Sequence, residues 1–135
     1  MHYLDSWVWL EYVFGGDADA EAETALENAR EDDGLTSTIA LTEIDYILRR
    51  DLDTETADYV TSSIEDDDSV RVVPVSSEIA LHASNIRSKY YQRRERELSY
   101  ADALHISTAI ITECDVIHTG DSDFEALEEI ETVVY

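Results

Sequence analysis

Apolar residues follow two rhythms along the chain, short runs and longer stretches with a helical period. "HYL" (2–4) predicts a short buried strand ending at Asp5, and "SWVWL" opens a helix behind it. "ADAEAETALENARED" (18–32) predicts a helix with Ala22, Ala25, Leu26 and Ala29 inward. "LTSTI" (35–39) is a second strand, "ALTEIDYILRR" (40–50) a helix, and "TETADYVTSSIED" (54–66) another. The strand "VRVVPV" (70–75) follows, with Pro74 near its end. A long helix is expected over 77–97, carrying Ile79, Ala83, Ile86 and Tyr90 at i, i+4, i+7 and i+11. "SYADALHISTAIITE" (99–113) is the most apolar helix, and the strands "DVIHT" (115–119) and "TVVY" (132–135) flank a short helix, "DFEALEEI". Strands alternating with helices imply an α/β fold with a parallel sheet covered on both faces.

The 135 residues fit one domain, 1–135, with no internal repeat, low-complexity tract or Pro/Gly linker. Composition changes the picture mainly through charge. Nine basic residues face 32 acidic ones, a net charge of −23, and Lys89 is the only lysine. Self-repulsion on that scale strains a compact state at low salt. At about 1 M salt the Debye length shrinks to roughly 3 Å and exposed carboxylates barely feel one another. The acids are spread through periodic segments, unlike a disordered acidic tail, so the balance reads as adaptation to a salty cytoplasm. Cys114 is the only cysteine, which excludes an intrachain disulfide. "MHYLDSWVWL" lacks the basic start of a signal peptide, and no apolar run of about 18 residues exists. A cytoplasmic location is the expectation.

With so many acids, location must separate chemistry from coating. Open parallel sheets bind ligands beyond the carboxyl ends of their strands, at a topological switch point. Asp5 ends the first strand and meets that condition, with helix capping as its plainer role. Asp102 lies on the wheel between Ile106 and Ala109, away from a polar stripe of His105, Thr108 and Thr112. An ionised group on an apolar wall is costly unless it is paired or metal-bound. Ser99 and Asp102 also have capping-box spacing. Glu43 and Asp45 border opposite sides of the apolar arc Ala40, Leu41, Ile44, Ile47 and Leu48, and periodicity does not choose between them. Asp121 ends the strand "VIHTG"; Asp123 begins the next helix, with Ser122 and Glu125 at capping-box spacing.

Four or five carboxylates therefore remain as candidates. At about 4 Å and an effective dielectric near 20, each like-charged pair repels by roughly 4 kcal/mol. Such a cluster stays ionised only around a cation, and oxygen-only donors select hard ions such as Mg²⁺ or Mn²⁺.

These stretches resemble the PIN-domain ribonucleases, especially the small stand-alone toxins of the VapC type, over nearly the whole length. "YLDSWVWLEYVFG" is similar to the family's first strand, acid and helix, and "LTEIDYILRR" to the helix with the second acid, Glu43. "LSYADALHISTAI" supplies the third acid, Asp102, and "VIHTGDSDFEAL" the fourth, Asp121, with Asp123 beside it. Trp7 and Trp9 are bulkier than the pattern, and the acidity is extreme. The resemblance implies a three-layer α/β/α PIN-like fold with a central, mainly parallel sheet of four to five strands. It implies a metal-dependent endoribonuclease, the toxin of a toxin–antitoxin pair; the acidic composition adds the expectation of a halophilic archaeon as its source. Asp5, Glu43, Asp102 and Asp121, supported by Asp123, would hold Mg²⁺ or Mn²⁺. A metal-activated water would then attack an RNA phosphodiester, with Ser6 and Thr119 orienting waters or the scissile phosphate. The implied partners are RNA, a cognate antitoxin and a second copy of the chain.

Five of the nine basic residues, Arg87, Lys89, Arg93, Arg94 and Arg96, fall within ten positions. They form either a grip for RNA phosphates or a solvated helix face balanced by Glu95 and Glu97. A phosphatase of the haloacid-dehalogenase type would need a second acid at position 7, where Trp7 stands, and a catalytic lysine. A receiver domain has similar needs. The alternative within the family is a catalytically inactive PIN-fold module that only binds RNA or protein. Such a module would have lost an acid, and all four are present.

Overall fold

The computed structural model describes residues 1–135. Five strands, β1 (His2–Leu4), β2 (Gly34–Ser37), β3 (Val70–Val73), β4 (Val116–Thr119) and β5 (Glu131–Val134), form one sheet in the order β3-β2-β1-β4-β5. Every neighbouring pair is parallel. From β1 the chain builds outward to β2 and β3, then returns to the other side of β1 for β4 and β5. The switch point therefore lies between β1 and β4, where Leu4 pairs with His118.

The helices are α1 (Ser6–Phe14), α2 (Asp19–Glu31), α3 (Thr38–Asp51), α4 (Thr54–Asp66), α5 (Ser77–Tyr90) and α6 (Tyr100–Ile111). Strand alternation makes the layers. Leu4 joins a core with Val8, Ala25, Ile44, Leu48 and Ile64 from α1 to α4. Its neighbour Tyr3 faces the opposite core, with Leu35, Ile86, Ile106, Ile117 and Phe124. The result is the expected three-layer α/β/α architecture, with the sheet wholly parallel. Gly15 closes α1 in the left-handed region, at φ 63°, and its N–H bonds back to Glu11 and Tyr12. No helix is long and apolar enough to cross a membrane.

Two expected helices differ. The helix begun at Ser77 stops at Tyr90 instead of running to 97. Its apolar stripe ends there, because the next inward positions, 93 and 94, are arginines. Residues 92–96 turn back on themselves, with Gln92 and Arg96 exchanging backbone hydrogen bonds of 2.8 Å and Arg94 at φ 70°. "DFEALEEI" is not a helix either. A single 3₁₀ turn, Ser122–Phe124, is followed by Ala126 at φ 55°. Side chains take the backbone groups a helix would use. Arg96 donates to the carbonyls of Asp123 (2.8 Å) and Glu125 (2.5 Å), and the N–H of Glu128 donates to the Tyr90 hydroxyl (2.9 Å). Elsewhere boundaries shift by a few residues. α3 begins at Thr38, and β3 ends before Pro74, which cannot donate to a ladder.

Candidate active site

Asp5 leaves β1 as the N-cap of α1, and its carboxylate is held on both oxygens. The Ser6 N–H donates to Oδ1 at 2.7 Å, and the Thr119 hydroxyl, at the end of β4, donates to Oδ2 at 2.6 Å. Thr119 also accepts from the Asp121 N–H at 3.1 Å. It is fully buried, and its hydroxyl proton is directed at Asp5. Ser6 Oγ stands 3.3 Å from both Asp5 Oδ1 and Glu43 Oε1, tying the two acids together.

Glu43 arrives from the opposite wall on α3. Packing of α3 against α6 resolves its ambiguity with Asp45. Glu43 Oε1 lies 2.5 Å from His105 Nε2 on α6. Asp45 faces away and is clasped by Arg49, which also reaches Asp58 on α4. Asp102, one turn before His105, caps its own helix: Ser99 and Asp102 form the capping box, with both bonds at 3.0 Å. Asp121 follows β4, and its Oδ1 accepts the Asp123 N–H at 2.9 Å.

Asp5, Glu43, Asp102 and Asp121 line one cleft of about 440 Å³, with Ser6, Trp7, Leu10, Gly120 and Ser122 completing the wall. Asp123 is not part of that lining. The cleft sits at the switch point between β1 and β4. A larger apolar fraction marks another groove, lined by Trp9, Tyr12, Val13, Leu26, Tyr59 and Val60 among others. It contains none of these acids.

The electrostatics follow from the crowding. Burial pushes the Asp102 carboxyl above its usual range, opposed by the bonds from Ser99 and reinforced by the charges of Asp121 and Asp5. Burial works against a charged His105, yet Asp5, Glu43 and Asp102 outweigh it and hold its pKa above the ordinary value. His105 escaped the sequence reading, which put it on a polar stripe. In fact α6 is enclosed almost all round, with His105, Ser107 and Thr108 fully buried beside Ile106 and Ala109. The available signal was the apolar character of that helix: polar groups on an enclosed helix must find partners. Here Nδ1 lies 2.6 Å from the Tyr3 hydroxyl, which donates to Ser37 Oγ at 3.1 Å. A carboxylate only accepts, so Nε2 carries the proton facing Glu43.

Asp5, Glu43 and His105 present ligand atoms within 4.8 Å of one another, a group able to hold a metal ion. The 2.5 Å between His105 Nε2 and Glu43 Oε1 is a hydrogen bond. Neighbouring ligand atoms on one octahedral Mg²⁺ stand about 3 Å apart, given bonds of roughly 2.1 Å. The imidazole therefore orients the acids. The four carboxylates of the cleft are an oxygen donor set of the kind hard divalent cations prefer.

The five basic residues separate. Arg87 donates to the Leu98 carbonyl and lies over the rings of Tyr91 and Tyr100. Lys89 pairs with Glu128 and Glu129 at 2.7 Å each. Arg96 clamps the segment after β4 and stacks on Tyr90. Arg93 and Arg94 are exposed, and only the Arg94 backbone makes a contact, to Glu97.

A parallel α/β/α fold with acids gathered at its switch point defines the class. Within it, the chain belongs to the PIN domain family, whose model matches residues 2–130. Comparison with curated proteins gives no match. Among solved structures it is similar to VapC20 of Mycobacterium tuberculosis, a sarcin-ricin loop cleaving toxin, at 22% identity. That likeness covers 97% of this chain and 98% of the other, with a TM-score of 0.80. VapBC2 from Rickettsia felis, solved with a promoter DNA fragment, gives 15% identity, coverage of 100% and 99%, and a TM-score of 0.77. A toxin–antitoxin complex from Klebsiella pneumoniae gives 18%, 99% and 97%, and 0.70.

Proposed function

We propose that this chain is a Mg²⁺- or Mn²⁺-dependent endoribonuclease and the toxin of a toxin–antitoxin pair. The observation that carries the reading is the convergence of Asp5, Glu43, Asp102 and Asp121 on one cleft at the switch point. A divalent ion held by these acids supplies Lewis acidity, which makes water a better nucleophile and neutralises charge on a phosphodiester.

The chain's own residues prepare that chemistry. Thr119 and the Ser6 N–H fix both oxygens of Asp5, His105 fixes Glu43, and the capping box fixes Asp102. Asp123 supports Asp121 through its backbone N–H, with its carboxylate outside the cleft lining. Arg93 and Arg94, the two cations of the basic stretch without side-chain partners, are the proposed phosphate contacts.

An antitoxin partner is supported by the similar structures solved as toxin–antitoxin complexes. Exposed Tyr12 and Tyr59 beside the apolar groove on α1, α2 and α4 also suit a protein partner. A second copy of the chain is the other partner in this reading, and a salt-rich cytoplasm its setting.

The test is cleavage of single-stranded RNA in molar KCl with added Mn²⁺. Wild type cuts, excess EDTA abolishes cutting, and Asp5→Asn is inactive while folded. Equal cutting in EDTA overturns the metal reading. Binding without cutting under every metal tried assigns the chain to the inactive, RNA-binding class instead.

A further inference from the structure

Trp7 stands in the first turn of α1, two residues after Asp5, and lines the carboxylate cleft beside Gly120 and Asp121. The wall there is acidic or hydroxylic apart from Trp7, Leu10 and Gly120. The indole is firmly seated. It stacks on Tyr135 with ring centres 5.5 Å apart and 10° between planes. Tyr135 and His118 meet edge to edge, with ring centres 6.0 Å apart and 18° between planes, and His118 meets His2 in the same way at 5.0 Å and 19°. Four near-parallel rings thus run from the cleft along the β1–β4–β5 side of the sheet.

Hydrogen bonds lock this column. His118 bonds to the Tyr135 hydroxyl at 2.9 Å and to His2 at 2.8 Å, and the Tyr135 N–H donates to the Thr119 carbonyl at 3.0 Å. Gly120 makes room for the indole, since a Cβ at that position would overlap its five-membered ring. Trp7 nevertheless remains only partly buried. Its N–H has no acceptor in the protein and reaches solvent; Thr132 Oγ1 is the one buried side-chain polar atom left unpaired.

An aromatic plane fixed beside acids that act on phosphodiesters has an evident use. Unpaired bases of RNA are held by stacking on aromatic side chains. Ionic grip on phosphates is weak in this chain, which has nine basic residues against 32 acids, and weakens further as salt rises. Stacking needs no charge. We propose that Trp7 is the platform for an unpaired nucleobase adjacent to the scissile phosphate, and so helps set where the RNA is cut. This deepens the ribonuclease reading and rests on it.

A purely structural Trp7 would fill space against the α1–α4 core, where it also packs. Trp7→Leu keeps apolar bulk and removes stacking, while Trp7→Phe keeps an aromatic face. With a single-stranded oligoribonucleotide carrying the mapped cut, Trp7→Leu should raise KM about tenfold, within the range measured for base–aromatic stacking, and leave kcat nearly unchanged. Trp7→Phe should recover most of the loss. Removing the base next to the cut should penalise wild type by a similar factor and Trp7→Leu hardly at all. Wild-type KM in Trp7→Leu, or an equal abasic penalty in both proteins, overturns the proposal.

A second measurement avoids dependence on the Leu variant folding. Trp9→Phe, a change in the α1–α4 core, leaves Trp7 the sole tryptophan. Its fluorescence should respond when the same oligoribonucleotide binds in EDTA, and less so to the abasic form. Identical responses to both count against a stacked base. A wild type that cuts no RNA strikes the ribonuclease reading itself, whereas unaltered cutting by Trp7→Leu strikes this inference alone.

Discussion

Glu43 and Asp45 stand two positions apart on α3 and border the same apolar arc, yet the fold uses them differently. Asp45 is met by Arg49 one turn on, at 2.8 and 3.1 Å, and that guanidinium reaches across to Asp58. Hydrogen bonding to Arg49 holds the Asp45 carboxyl below its usual range. On the other flank Glu43 meets Asp5, Asp102 and Asp121 around a cleft with no Lys or Arg in its lining. His105 is its ring-nitrogen partner, and burial with neighbouring charge lifts Asp102. An acid beside an arginine already has its counter-ion. Four acids that converge on a single imidazole keep an unmet demand for positive charge, and that demand distinguishes the cleft from the coat.

The broadest test of this comparison replaces Glu43 and Asp45 in turn. Glu43→Gln should lower Mn²⁺ affinity and cleavage on the order of 100-fold, at least the loss typical for a residue that merely orients a ligand. Asp45→Asn should leave both unchanged, because an exposed pair contributes little. Calorimetric metal titration and RNA cleavage in molar KCl measure the two effects. If Asp45→Asn is the more damaging, the division between the flanks is wrong.

A finer version lies within "TGDSDF". Asp121 lines the cleft, and Asp123 contributes its N–H to Asp121 without lining it. Asp121→Asn should reduce metal affinity severely. Asp123→Asn keeps the backbone donor and should cost no more than about tenfold, the lower part of the range for supporting groups. The reverse order would make Asp123 the fourth acid.

The legible part of this molecule was its periodicity and its strand ends. Apolar runs marked all five strands, and an acid at or just beyond a strand end, as at Asp5 and Asp121, is placed near the switch point by the sheet. What stayed hidden depends on contacts between distant segments. Periodicity left Glu43 and Asp45 open and only the family resemblance named Glu43; the contact that separates them is His105 of α6 against α3. The burial of His105 depended on α6 being enclosed, which its polar residues disguised. Residues 91–97 and 123–130 have helical composition, but the Arg96 and Tyr90 side chains bond backbone groups of the second segment across the gap between them. No local pattern encodes that exchange.

The same division between met and unmet charge runs through the cations, and it yields the smallest expected effect. Lys89 has two glutamates, while Arg87 and Arg96 have carbonyls and rings. Arg93 and Arg94 lie at the tip of the 92–96 turn, exposed and with no side-chain partner. Replacing both with Gln should leave folding and metal affinity alone and weaken RNA binding only several-fold at moderate salt. The salt dependence is the sharper readout. Each lost contact to a single strand should flatten the slope of log affinity against log salt by about 0.7, so the pair should flatten it by roughly 1.4. Arg96→Gln should instead lower Tm, because it frees two backbone carbonyls after β4. An unchanged slope in the double variant would make Arg93 and Arg94 surface charge balanced by Glu95 and Glu97. RNA affinity would then have to come from the metal and from uncharged contacts.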